Sequence, residues 1–316
     1  MNRLHVSPTW LVGLLASVTF GGCTLNTASD FHFLATGDVP YDAVEDEAYR
    51  RLLEQASAEE FSFLVHVGDI KGQGEPCTNE RFEQIRDLFQ RQPWPVIYTP
   101  GDNEWTDCHG IAAGGFDPVE RLEALRRLFF ADESVLRLEA LGVRPEDQDT
   151  DAGYPENFRF FKNGVLFVVA HVTGSGNGLN VQDPNAMKEY GSRSRATADF
   201  LEKSLELAAS SAAPGVAIII HANPGFEKRK GEGFLDFINT LERFLRTYDK
   251  PVVCIHGDSH THRIDKPLRD NETERRFLHF TRMEVFGSPK VAGVVVTVDV
   301  NRPEVFSYEP YYLETD

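Results

Sequence analysis

A chain of 316 residues, 41 % hydrophobic and 26 % charged, has ordinary globular composition and is long enough for one large domain or two small ones. Its formal net charge of −17 is spread along the sequence rather than gathered in a tail. The summed field repels polyanions, which excludes DNA and RNA as expected partners.

The first residues, MNRLHVSPTWLVGLLASVTFGGC, place one Arg before an apolar run from Trp10 to Phe20 that is too short to anchor stably across a bilayer. This pattern predicts an export signal over residues 1–23. Because the run ends at Gly21-Gly22-Cys23, it also resembles a bacterial lipobox, in which Cys23 is lipidated and becomes the first residue of the mature chain; cleavage without lipid is the alternative. The expectation is an exported protein, periplasmic, lipoprotein-anchored or secreted, that meets a membrane only through an N-terminal lipid.

Three strand, polar loop, helix units follow. FHFLAT (Phe31–Thr36) leads to GDVPYD and a helix around Glu45–Gln55. FSFLVHV (Phe61–Val67) leads to GDIKGQG and a helix around Thr78–Gln90. PVIYT (Pro95–Thr99) leads to PGDNEW and a helix around Pro118–Phe130. The repetition predicts α/β architecture with a largely parallel sheet.

Residues 131–157 read as an acidic, Pro-containing insertion. Two β-rich runs joined by Asn163-Gly164 then predict a hairpin and the start of a second, partly antiparallel sheet. The glycine-rich loop GSGNGLN lacks the Lys-Ser/Thr of a phosphate-binding loop and reads as a mobile rim. A helix near Ser194–Ser211, the strand VAIII ending at His221, a helix over about 233–248 and the strand PVVCI ending at His256 come next. Three strands close the chain. Neither a repeat nor a linker divides residues 24–316, so one domain is expected.

Cys77 and Cys108 lie in polar, Gly-rich loops, whereas Cys254 sits inside PVVCI and reads as core. A Cys77–Cys108 disulfide would close a loop of about thirty residues and contribute roughly 3–4 kcal/mol in an oxidising compartment. Two reduced thiols are the alternative.

Five strand ends carry one class of side chain: Asp38, Asp69, Asp102-Asn103-Glu104, His221, and Asp258 with His260. In an open α/β sheet these ends converge on the ligand crevice. Each residue alone has an ordinary explanation, such as a helix cap or a tight turn. Together they form a set of Asp, Asn and His without thiolate, which suits Fe, Mn, Zn or Ni, and is large enough for a bridged pair of divalent or trivalent ions.

On these residues the sequence resembles the calcineurin-like metallophosphoesterase superfamily, whose pattern runs D-x-H, GD, GNH(D/E), an isolated His, then GHxH. Here the corresponding positions are Asp38-Val39-Pro40, Gly68-Asp69, Gly101-Asp102-Asn103-Glu104, His221, and Gly257-Asp258-Ser259-His260. The D-x-H histidine is replaced by Pro40, with Tyr41 next to it able to supply a phenolate, as a Tyr does in the related purple acid phosphatases. Asn103 stands where the family has its leaving-group His. An alternative register aligns Ser259-His260-Thr261-His262 with GHxH, making His260 and His262 both ligands.

The resemblance implies two packed mixed β-sheets flanked by helices, a four-layer αββα sandwich. It further implies hydrolysis of a small phosphorylated substrate, a mono- or diester, by a metal-bridging hydroxide at a binuclear site. Asp69 would bridge; Asp38, His260 and Tyr41 would hold one ion, and Asp102 or Asn103, His221 and Asp258 the other. Glu104, His262 and His109 are candidates for protonating the leaving group. Lys228, Arg229 and Lys230 are candidates for steering phosphate, and Trp105 for stacking on an aromatic leaving group. The alternative function is a non-catalytic metal- or phosphate-binding envelope lipoprotein with a degenerate site.

Overall fold

The computed structural model describes Met1 and residues 30–227 and 231–314. The expected signal with Cys23, and Lys228, Arg229 and Lys230, lie outside the described residues.

The strands are β1 (Phe31–Thr36), β2 (Leu64–His66), β3 (Val96–Tyr98), β4 (Gln148–Asp149), β5 (Tyr154–Lys162) and β6 (Val165–Val169), then β7 (Val216–Ile219), β8 (Val252–His256), β9 (Arg263–Asp265), β10 (Phe280–Glu284), β11 (Ala292–Val298) and β12 (Phe306–Tyr312). They form a five-stranded sheet in the order β12-β11-β1-β2-β3 and a seven-stranded sheet in the order β4-β5-β6-β7-β8-β10-β9. In the first, β1, β2 and β3 are parallel while β11 and β12 run antiparallel; in the second, β6, β7, β8 and β10 are parallel between antiparallel edges.

Side-chain alternation stacks the two sheets. Phe33, Ala35, Phe63, Val65 and Val296 from one sheet meet Phe158, Phe167, Val169, Ile219 and Ile255 from the other in a shared core. The opposite face of the first sheet, through Leu34, Leu64 and Val96, packs on helices α1 (Ala43–Ala56) and α2 (Asn79–Gln90). The outer face of the second, through Val168, Ile218 and Cys254, packs on the helices Pro184–Ser210 and Leu235–Leu245. Four layers result, helix, sheet, sheet, helix.

Several boundaries differ from those predicted. The helix expected near Ser194 begins at Pro184, because Asp183 caps it by accepting from the backbone N–H groups of Asn185 and Ala186 and Pro184 takes the first turn. The expected helix 118–130 splits into α3 (Pro118–Leu125) and a π-helical turn, Arg126–Phe130. The hairpin turn falls at Asn163 and Gly164, with φ of 50° and 82°. The insertion holds short helical turns and β4, and β5 has already begun by Tyr154.

Candidate metal centre

The loops after β1, β2 and β3 and those after β7 and β8 meet at one edge of the sandwich. Asp38, Asp69, Asp258 and His260 all have left-handed backbone, with φ of 53°, 56°, 76° and 53°. Such strain at non-Gly residues persists only where surrounding contacts impose it. The glycines between them allow the loops to touch. A Cβ on Gly68, whose φ is 95°, would lie 2.5 Å from the Gly101 nitrogen and 2.8 Å from His221 Nδ1, and one on Gly257 would lie 2.3 Å from Asp38 Oδ2.

Two triplets assemble there, Asp38–Asp69–His260 and Asp69–Asp102–His221, each with its donor atoms all within 4.8 Å of one another. Asp69 belongs to both. His221 Nε2 lies 2.9 Å from Asp102 Oδ1 and 3.5 Å from Asp69 Oδ1. The imidazoles are anchored alike: His221 Nδ1 donates to the Val67 carbonyl at 2.7 Å and His260 Nδ1 to that of Ser288 at 2.9 Å, which turns Nε2 of each toward the carboxylates. The Tyr41 hydroxyl donates to Asp69 Oδ2 at 2.8 Å, lies 3.0 Å from His260 Nε2 and accepts from the Asn103 amide at 3.1 Å. The hydroxyl thus lies among Asp69, His260 and Asn103, one position after Pro40.

The electrostatics fit bound cations. Burial pushes Asp38 up to about 8 and Asp69 well above the ordinary carboxylate range. Burial alone would depress His221, but Asp69 and Asp102 outweigh it and hold the imidazole protonated. For Asp102, His221 and the Ser175 hydroxyl outweigh burial and keep the carboxylate ionised. The donors of the cluster are the oxygens and imidazole nitrogens that first-row divalent or trivalent ions prefer. Asp38, Asp69, Asp102, His221 and His260, with Tyr41, are the residues that can hold them.

The other expected site residues are placed differently. Asp258 is in neither triplet; its N–H donates to both Asp38 oxygens at 3.0 Å and its Oδ2 accepts from the Asn223 N–H at 2.9 Å, so it braces the loops. Asn103 donates its backbone N–H to Asp69 Oδ1 at 3.0 Å and its side-chain amide to Tyr41 and to the Lys71 carbonyl. Glu104 is fully buried, and its Oε1 accepts from the N–H groups of Asp69 and Gly101 and from the Tyr98 hydroxyl. It clamps the β2 and β3 loops and has no path to a leaving group. His262 stacks on Phe286 at 4.1 Å, donates Nδ1 to the Glu284 carbonyl and joins neither triplet. His109 is exposed, its Nδ1 on the Thr106 carbonyl.

Trp105 is 2 % exposed, between the His171 ring and the Arg193 guanidinium, which takes the core role rather than the stacking one. The GSGNGLN segment is pinned rather than free: Ser175 Oγ lies 2.8 Å from Asp102 Oδ2, and Asn177 is buried against Arg193. Cys77 and Cys108 form a disulfide, with Cα atoms 5.8 Å apart, and Cys254 is a buried free thiol.

Two residues escaped the sequence reading. His66, the last residue of β2, donates Nε2 to the Val39 carbonyl at 2.8 Å and accepts the Gly68 N–H at Nδ1, coupling the Asp38 and Asp69 loops. It sits inside an apolar run, where alternation marks it only as buried. Ser175 joins the rim to Asp102 across 73 positions of sequence, a separation no local pattern reveals.

The model of the calcineurin-like phosphoesterase family matches residues 28–263. No curated protein matches the sequence. Among solved structures, a dimetal phosphatase from Danio rerio is 13 % identical, with 90 % of this chain and 99 % of that chain covered and a TM-score of 0.52. A purple acid phosphatase from yellow lupin seeds is 13 % identical, with 90 % of this chain and 54 % of that chain covered and a TM-score of 0.50, so the present chain spans about half its length. GAP50, the anchor in the inner membrane complex of Plasmodium, is 11 % identical, with 90 % of each chain covered and a TM-score of 0.50. At these identities the likeness is one of fold.

Proposed function

Since the chain belongs to the calcineurin-like phosphoesterase family, whose members are hydrolases of phosphoester bonds, we propose that it works through two metal ions sharing Asp69. The observation that carries this reading is the pair of carboxylate–imidazole triplets with one aspartate in common. Asp38, His260 and the Tyr41 phenol would hold one ion, and Asp102 and His221 the other; the identity of the metals is left to iron, manganese, zinc or nickel by this donor set. When bound, such a pair acidifies water enough to supply hydroxide near neutral pH and neutralises charge developing on phosphoryl oxygens.

The protein's own groups do the positioning. The Asn103 N–H and the Tyr41 hydroxyl fix the two oxygens of Asp69, and the Val67 and Ser288 carbonyls fix the two imidazoles. In the reaction a water oxygen bonds to phosphorus, the P–O bond to the alcohol breaks, and the proton given up by water leaves with the alcohol. The Asn103 amide is too weak an acid to protonate a leaving alcohol, Glu104 is fully buried, and His262 is stacked on Phe286 outside both triplets. We take His109 as the group that delivers that proton, a reading supported by its sharing a cavity with Ser175, whose hydroxyl contacts Asp102.

Export and an oxidising compartment are part of the proposal, supported by the N-terminal sequence and by the Cys77–Cys108 disulfide. The substrate is a small phosphorylated molecule. The Asn103 substitution favours a second reading, metal binding without turnover. Turnover of an aryl phosphate and a bis(aryl) phosphate, measured before and after chelation and re-addition of each candidate ion, separates the two. Activity that returns with metal and is absent from Asp69→Asn and His260→Ala supports the hydrolase; metal uptake with no turnover of either ester under any ion supports the binder.

A further inference from the structure

The segment that follows β6 reaches the candidate metal centre from the second sheet through one hydroxyl. Ser175 Oγ lies 2.8 Å from Asp102 Oδ2 and 2.7 Å from Asp107 Oδ1. A hydroxyl has one hydrogen and so serves one of these carboxylates at a time. Asp107 is half-buried and also accepts the Gln73 amide at 3.0 Å, whereas Asp102 is buried, where a hydrogen bond to a carboxylate is stronger. The hydrogen therefore belongs to Asp102. The other oxygen of that carboxylate, Oδ1, lies 2.9 Å from His221 Nε2.

The surrounding chain builds this contact. Ser175, Gly176, Asn177 and Gly178 all have left-handed backbone, with φ of 48°, 67°, 60° and 72°. Such a run, two of whose residues carry side chains, persists only where other contacts impose it. Arg193, fully buried on the helix Pro184–Ser210, supplies them. Its Nη1 donates to Asn177 Oδ1 at 2.8 Å and to the His171 carbonyl at 3.2 Å, and its Nη2 to the Asn177 carbonyl at 2.8 Å. Glu189 takes the remaining N–H groups at 2.8 Å and 3.1 Å, which leaves the guanidinium fully paired. Asn177 in turn donates its side-chain amide to the Gly233 carbonyl at 3.0 Å. On the other flank Gly174 lies against Asp102 itself: a Cβ there would be 2.3 Å from Oδ1 and 2.5 Å from Cγ, an approach that only glycine admits.

We propose that Ser175 is a positioning residue for Asp102: its hydroxyl holds Oδ2, so that Oδ1 stays turned toward His221 and toward the ion these two share with Asp69. A ligating carboxylate whose second oxygen is free can rotate about its Cβ–Cγ bond or spend both oxygens on one ion, and an outer donor removes that freedom. The effect belongs to one half of the centre, since the other half has its own anchors: the Ser288 carbonyl holds His260 and the Asp258 N–H holds Asp38. The ion itself rests on the two-metal reading above.

The test separates the halves. His260→Ala leaves the Asp69–Asp102–His221 triplet and His221→Ala leaves Asp38–Asp69–His260; each is titrated with Mn²⁺ by calorimetry, with Ser175 intact and as Ser175→Gly or Ser175→Ala. In His260→Ala both Ser175 variants should weaken Mn²⁺ binding about 10–100-fold, and in His221→Ala the change should stay within about twofold. Glycine takes a φ of 48° without strain, so Ser175→Gly should melt close to its parent, which keeps loss of affinity apart from loss of fold. Equal weakening in both backgrounds, or none in His260→Ala, overturns the inference and leaves the two-metal reading intact. No Mn²⁺ uptake by His260→Ala with Ser175 intact contradicts the two-metal reading and takes the inference with it.

Discussion

At the scale of residues, Asp69 is the joint of the site: it belongs to both triplets, and each of its oxygens is set by a separate donor, Asn103 N–H and Tyr41 hydroxyl. Tyr41→Phe removes the hydroxyl that lies between Asp69, His260 and Asn103 while keeping the ring. It should lower turnover about 10–100-fold with thermal stability nearly unchanged, checked by kinetics and a melting curve on the same preparation. His109→Gln tests the proton donor by leaving-group dependence. An alkyl phosphoester should lose about 10–100-fold in kcat, whereas a nitrophenyl ester, whose leaving group needs no proton, should lose little. Asp38, Asp69, Asp102, His221 and His260 were legible in the sequence because metal-competent side chains recur where apolar runs stop. The roles of Glu104, Asp258 and His262 were not, because whether such a side chain faces the cleft or braces a loop depends on backbone conformation. Here Asp258, with left-handed φ, gives its N–H to Asp38, Glu104 accepts the Gly101 N–H, and His262 gives Nδ1 to the Glu284 carbonyl.

At the scale of elements, the site depends on how closely the loops approach. Gly68→Ala would place a methyl 2.5 Å from the Gly101 nitrogen in a backbone with φ of 95°. The expected cost is about 1–3 kcal/mol or more, with metal binding weakened as well, read from denaturant unfolding and elemental analysis. The Cys77–Cys108 bond, whose ends are 31 positions apart in sequence, ties the start of α2 to the turn after Asn103-Glu104. Its removal by Cys77→Ser/Cys108→Ser should destabilise the fold by roughly 3–4 kcal/mol in the chain-entropy model, checked the same way. Most strands were legible because alternation and apolar runs name them. The start of the helix at Pro184 was missed although Asp183-Pro184 is a cap signal, because Gly191 and the serines near it interrupt the apolar periodicity. β9 is three residues long with two of them exposed, too short for any periodicity to mark it.

At the scale of the whole molecule, the shared core between the sheets holds the five loops at one edge, and buried neutral imidazoles make that assembly acid-sensitive. Burial pushes His66 and His171 down to about 4 and His256 down to about 3, from an ordinary 6.5. Groups depressed on folding contribute stability that is complete above 6.5 and lost as pH falls toward 4. The stability difference between the wild type and His171→Asn, both metal-saturated, should therefore be largest above pH 6.5 and shrink on acidification to pH 4, by on the order of 3 kcal/mol. A difference that grows on acidification would mean that His171 is charged in the folded protein.

The sharing of Asp69 is tested most directly by counting metal ions per chain in the wild type, His221→Ala, His260→Ala and Asp69→Asn, each after loading with one candidate ion and removal of excess. The account predicts about two ions in the wild type, about one in each histidine variant, and loss from both positions in Asp69→Asn. A single ion in the wild type, or two retained by Asp69→Asn, would contradict it.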